Sequence, residues 1–103
     1  MQDLKPDELK VKLDQGTSVF LKLWKRGCGP CKLSEPACER LEKAAAAEVF
    51  FAKICIDEFP EMLEISESEV LPAFFVFKDS KLQGKFIGFK GLAKLKEFYG
   101  EYL

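Results

Sequence analysis

A chain of 103 residues, 48% hydrophobic and with ten Phe, can bury one core but is too short for two, so a single domain over 1–103 is expected. Its 16 basic and 17 acidic side chains leave a net charge of -1, which gives no global field for nucleic acid or an anionic membrane and excludes functions that rest on one. No apolar run reaches membrane-spanning length, and the opening Met1-Gln2-Asp3-Leu4-Lys5-Pro6 lacks the apolar stretch of a secretory leader, so a cytoplasmic monomer is expected.

Pro6 to Gly16 has proline and acids in its first turn, Leu9 and Leu13 four apart and a closing glycine, the pattern of a short amphipathic helix. With so few residues before it, any N-terminal strand should be short or absent. Ser18 to Trp24 is apolar at nearly every position, as a central strand covered on both faces would be. From Pro30 to about Ala47 the spacing predicts a helix. Leu33, Ala37, Leu41 and Ala44 form its buried stripe, Glu35, Glu39, Glu42 and Lys43 face away, and the four-alanine run is included. Pro36 should break it and set the first turn at an angle to the rest.

Val49 to Ile56 reads as a second buried strand, and Asp57-Glu58-Phe59-Pro60 leads into a helix near Glu61 to Ser66. Strand, helix and strand in this order make a βαβ unit with a right-handed crossover. Pro72 to Phe77 and Leu82 to Phe89, joined at Lys78-Asp79-Ser80-Lys81, read as an antiparallel hairpin. Leu92 to about Tyr102 closes the chain as a helix. The expected class is α/β, with a mixed sheet and helices on both faces.

The chemistry is concentrated in Cys28-Gly29-Pro30-Cys31. Four cysteines in a chain able to build an apolar core do not suggest a disulfide scaffold, and a C-x-x-C in that setting points to redox or metal chemistry. At the start of a helix, free N–H groups and the helix dipole favour a thiolate. Cys28 would sit exposed at the cap and Cys31 partly shielded in the first turn, which suits them as attacking and resolving thiols in dithiol–disulfide exchange. The competing reading is a metal knuckle that adds Cys38 and Cys55, but these are isolated residues on a helix and a strand rather than a second close pair. No metal is expected, and Cys38 and Cys55 read as packing residues.

Trp24, the Cys28-Gly29-Pro30-Cys31-Lys32 core and Pro36 resemble the active-site segment of the thioredoxin family. The resemblance runs from Ser18 onward without long insertions, with Lys53, Asp57, Pro72 and Gly88 in register. It implies the thioredoxin fold, a central mixed four- or five-stranded sheet flanked by four helices. It also implies a cis bond at Leu71-Pro72, although a proline at the first residue of a strand needs none. Val70, Leu71 and Pro72, with Gly29, Pro30 and Gly88, would then bind an extended substrate segment. The implied activity is protein disulfide reduction, with no bound cofactor and with electrons from NADPH through a flavoprotein thioredoxin reductase. Its implied partners are that reductase and disulfide-containing proteins such as peroxiredoxins or ribonucleotide reductase.

Three positions depart from the family pattern. Lys22 stands where the family commonly has a buried Asp, Gly27 where it usually has Trp, and Ala73 where it usually has Thr. If Lys22 and Lys53 approach the site as cations they favour thiolate, and a desolvated Lys22 would titrate lower and accept a proton. Alternatively Lys22 snorkels to solvent from the rim of the sheet. A dedicated reductase with few partners and a non-enzymatic binding module remain as alternatives, although such modules often lose one or both cysteines.

Overall fold

The computed structural model describes residues 1–103. Five strands form one sheet in the order β1-β3-β2-β4-β5. They are β1 (Gln2–Asp3), β2 (Ser18–Trp24), β3 (Val49–Cys55), β4 (Ala73–Lys78) and β5 (Lys81–Ile87). β1 and β2 pair parallel to β3, and β4 pairs antiparallel to both β2 and β5. β2 therefore lies at the centre with a neighbour on each side, which is why five of its seven residues are buried.

Alternation along β2 feeds two cores. Val19, Leu21 and Leu23 enter a cluster with Leu9, Met62, Leu71 and Phe75. Phe20 enters another with Ala37, Cys38, Leu41, Phe74, Leu95 and Phe98. Phe20 meets the rings of Phe51 at 5.1 Å, Tyr99 at 5.7 Å and Phe74 at 5.8 Å between centroids, a cluster whose edge and offset contacts add to simple area burial.

The helices are α1 (Pro6–Asp14), α2 (Gly29–Leu33), α3 (Glu35–Ala44), α4 (Leu63–Ser66) and α5 (Leu92–Tyr102), with a 3-10 turn at Pro60–Met62. The long helix expected from Pro30 to Ala47 is two pieces, broken at Ser34. Pro36 has no N–H to offer back to the preceding turn, so a single hydrogen-bonded helix cannot run through it. The buried stripe is also narrower than the spacing suggested. Ala37, Cys38 and Leu41 are buried, whereas Leu33 is 72% exposed and Ala44 is at the surface. Once α2 ends, Leu33 is no longer in phase with α3.

The alanine run leaves the helix after Ala44, with Ala45 in extended conformation as its cap. Alanine favours helix locally, but the chain must turn here to enter β3. The hairpin closes tightly, with Lys78 opposite Lys81 and both Asp79 and Ser80 at positive φ, 54° and 65°. That is the two-residue geometry matching the twist of paired strands, made here without Gly. No helix of the structure is long and apolar enough to cross a membrane.

Candidate active site

β2 delivers the chain to the site and α2 receives it. Cys28 is the N-cap of α2 in extended conformation, and its Sγ accepts a hydrogen bond from the backbone N–H of Cys31 at 3.2 Å. The two cysteines are joined as a disulfide with Cα atoms 5.3 Å apart. Cys28 is half-buried, whereas Cys31 is only 3% exposed and belongs to the core cluster under the sheet. The pair therefore offers one approachable sulfur and one shielded one, as the spacing predicts.

Across from Cys28 lies the loop before β4. The Leu71-Pro72 bond is cis, as the resemblance implies. The Leu71 carbonyl oxygen is 3.9 Å from Cys28 Sγ, so this loop forms the other wall of the site. Val70 is 55% exposed, while the Leu71 side chain is buried and only its main chain is offered. The Gly88 N–H donates to the Pro72 carbonyl at 2.7 Å, and a Cβ at Gly88 would lie 3.8 Å from Val70 Cγ1. The Leu71 main chain thus faces Cys28, with the exposed Val70 before it, whereas the Pro72 side chain is fully buried and Gly88 is tied to this loop through its bond to the Pro72 carbonyl. With φ at +84°, Gly88 occupies backbone space in which a side chain would be strained.

Lys22 does not snorkel to solvent. It is 4% exposed, and its Nζ donates to the Cys31 carbonyl at 3.0 Å. The Ser34 Oγ donates to the same carbonyl at 2.7 Å from a fully buried position. Burial pulls the Lys22 ammonium below its ordinary value, opposed by Cys38 once that thiol ionises and by the Glu35 carboxylate, and Lys53 adds to the fall. Lys53 sits opposite Lys22 in the parallel register, and its Nζ lies 5.5 Å from the centre of the Trp24 ring. It lines a cavity of about 200 Å³ with Lys22, Glu35 and Cys38. The groove of about 480 Å³ beside the cysteines is a separate space, and of the two lysines only Lys22 reaches it.

Two supports went unread in the sequence. Ser34 was hidden because a serine inside a helical stretch carries no periodic signal, though its place two residues before Pro36 marks the break. The other is Arg26, whose backbone N–H donates to Asp57 Oδ2 at 2.9 Å and whose guanidinium meets Glu58 at 2.8 Å. These contacts tie the exit of β2 to the exit of β3 and give Asp57 a definite task. Cys38 and Cys55 are free and buried. Burial pushes the Cys38 thiol up, against the opposing Lys22 charge and a hydrogen bond with Ser34. The Trp24 indole N–H is buried without a partner, so Trp24 contributes packing.

The family model described as Thioredoxin matches residues 1–101. The thioredoxin of Buchnera aphidicola subsp. Baizongia pistaciae is 31% identical over 91 residues, covering 88% of this chain and 84% of that one. Mitochondrial thioredoxin-3 of Saccharomyces cerevisiae is 32% identical over 81 residues, 79% of this chain and 63% of that one. Among solved structures, Fasciola hepatica thioredoxin matches with a TM-score of 0.86 at 27% identity, covering 100% of both chains. A structure from work on thiol resolving in yeast mitochondrial 1-Cys peroxiredoxin via glutathione/thioredoxin systems matches at 0.85 and 26%, covering 98% of this chain and 94% of that one.

Proposed function

Because this chain belongs to the thioredoxin family, matched over residues 1–101, it is a thiol-disulfide oxidoreductase of the protein-disulfide-reductase type, and we propose that Cys28 attacks and Cys31 resolves. The observation that carries the assignment is the unequal exposure of the two sulfurs within one disulfide pair, Cys28 half-buried and Cys31 buried. Thioredoxins act on disulfide proteins without a bound cofactor.

In the reduced protein the Cys28 thiolate attacks one sulfur of a partner disulfide. A bond forms between Cys28 and that sulfur, and the partner's other sulfur leaves as a thiolate. Cys31 then loses its proton, and its thiolate attacks Cys28 Sγ. The Cys28–Cys31 bond forms and the second partner thiolate departs. The partner gains two electrons and, once its thiolates are protonated, two protons, while the Cys28–Cys31 pair is oxidised. Return to the dithiol takes two electrons from outside, which we assign to NADPH passed through a flavoprotein thioredoxin reductase. Peroxiredoxins and ribonucleotide reductase are the partner classes of this reading, with residues 1–103 acting as one monomeric domain in the cytoplasm.

The substrate segment lies between the Gly29-Pro30 side and the Val70-Leu71-Pro72 and Gly88 side, where main-chain groups and an apolar surface flank Cys28. Lys22 acts as a positioning residue. Its amine holds the Cys31 carbonyl and, as a cation, favours thiolate nearby. Lys53 acts on Lys22 across the strand pair rather than on the thiols.

Insulin reduction driven by NADPH and a thioredoxin reductase tests this. Wild type is expected to turn over, and both Cys28→Ser and Cys31→Ser to lose turnover. Cys31→Ser should accumulate a mixed disulfide through Cys28. A mixed disulfide accumulating in Cys28→Ser instead would reverse the roles, and an inactive wild type would overturn the general-reductase assignment.

A further inference from the structure

The groove wall on the Lys25 and Lys32 side of Cys28 is basic, and the exchange chemistry does not require it to be. The groove of about 480 Å³ is lined by Lys22, Lys25, Arg26, Lys32 and Glu35 beside the two cysteines. Arg26 is already engaged, with its guanidinium 2.8 Å from Glu58 and 3.7 Å from Asp57. Lys25 and Lys32 are exposed, and neither takes part in any of the protein's salt bridges. Lys22 also lines the groove but is buried and bonded to the Cys31 carbonyl, so the charges offered to solvent are those of Lys25 and Lys32. Glu35 is the only carboxylate in the lining. Two exposed, unpaired lysines against one carboxylate leave a net positive groove next to the approachable sulfur of a chain whose net charge is -1.

Gly27 keeps this side open. Its φ of +69° is one that side chains rarely adopt, and nothing lies within 4 Å of where its Cβ would be. The other side of Cys28 presents Val70 to solvent. One flank of the sulfur is thus open and cationic and the other is apolar.

Building on the reductase reading, we infer that the groove selects its partners by charge, seating an acidic segment next to the cysteine of a partner protein's disulfide. Carboxylates reaching Lys25 and Lys32 gain rim ion pairs, modest singly and effective mainly on encounter, so the gain weakens with salt. A basic segment meets repulsion in the same place.

Three disulfide peptides test it, alike except that the residues beside the cysteine are Asp-Asp, Ser-Ser or Lys-Lys. With reduced wild type at low ionic strength, the second-order rate constant for its oxidation by the acidic peptide is expected to exceed that for the basic one about tenfold, shrinking to about twofold in high salt. The double variant Lys25→Glu, Lys32→Glu should invert the order. A ratio near one, a preference that salt leaves unchanged, or one that survives the double variant would each overturn the inference while reduction of the Ser-Ser peptide leaves the reductase reading standing. If the Ser-Ser peptide is not reduced at all, the reductase reading fails and this inference fails with it.

Discussion

The Nζ of Lys22 lies 3.0 Å from the carbonyl oxygen of Cys31, so the central strand grips the first turn of the redox helix through a buried cation. The contact joins the oxidation state of the dithiol to the charge of an amine, and its consequences are measurable.

Removing the cation should make the thiols less acidic. In Lys22→Gln a donor to the Cys31 carbonyl remains without the charge, and in Lys22→Met both are gone. Alkylation of Cys28 in the reduced protein is expected to slow about threefold at neutral pH in both variants. The loss of thiolate stabilisation should also make both variants more reducing. If only Lys22→Met changed, the hydrogen bond rather than the charge would be responsible.

The same burial shapes stability against pH. In the folded protein Lys22 titrates below the 10.5 of a free lysine. Between those two values the folded chain has released a proton that the unfolded chain still holds, so this group's contribution rises with pH there. Below the folded value, the full cost of burying the ammonium applies. Cys38 and Tyr99, both pushed up by burial from 9.0 and 10.0, work the other way at high pH. Urea unfolding of the oxidised protein, comparing Lys22 with Lys22→Met in a Cys38→Ala background, should show the lysine protein gaining relative stability as pH climbs toward 10.5. A flat difference would mean that the amine is not desolvated.

Of the four cysteines, Cys28 alone should react readily with an alkylating agent in the folded, reduced protein. Cys31, Cys38 and Cys55 are 3%, 2% and 6% exposed, and Cys38 is further protected because burial disfavours its thiolate. Intact mass after iodoacetamide is expected to show one addition without denaturant and four in urea. A second addition to the native state would report local opening of α2, α3 or β3.

Phe20→Ala should be among the costliest substitutions in the core. The side chain is fully buried and touches four aromatic rings. A loss of about 3–5 kcal/mol is expected, a large part of the roughly 5–15 kcal/mol typical of a small domain. Urea unfolding would measure it, and a loss below about 1 kcal/mol would mean that the ring cluster repacks around the gap.

The sequence alone determined the element order, the central place of Ser18–Trp24 and the cysteine pair at a helix start, because each rests on local pattern. An apolar run, a proline and a C-x-x-C spacing carry their meaning over a few residues. The cis bond at Leu71-Pro72 followed from the resemblance. The state of Lys22 did not, since a lysine in an apolar strand fits snorkelling as well as burial, and the choice depends on what α2 and α3 place above it. Leu33 and the alanine run depart from the helical pattern for a related reason. Helical periodicity assumes one continuous helix, and the break at Ser34 resets the phase, while Ala45 must turn toward β3. The tertiary structure alone decided that Ser34 and Lys22 share one carbonyl, that Arg26 is held by Asp57 and Glu58, and that Lys25 and Lys32 are left free. Those facts depend on residues distant in sequence arriving within hydrogen-bonding range, which sequence spacing does not encode.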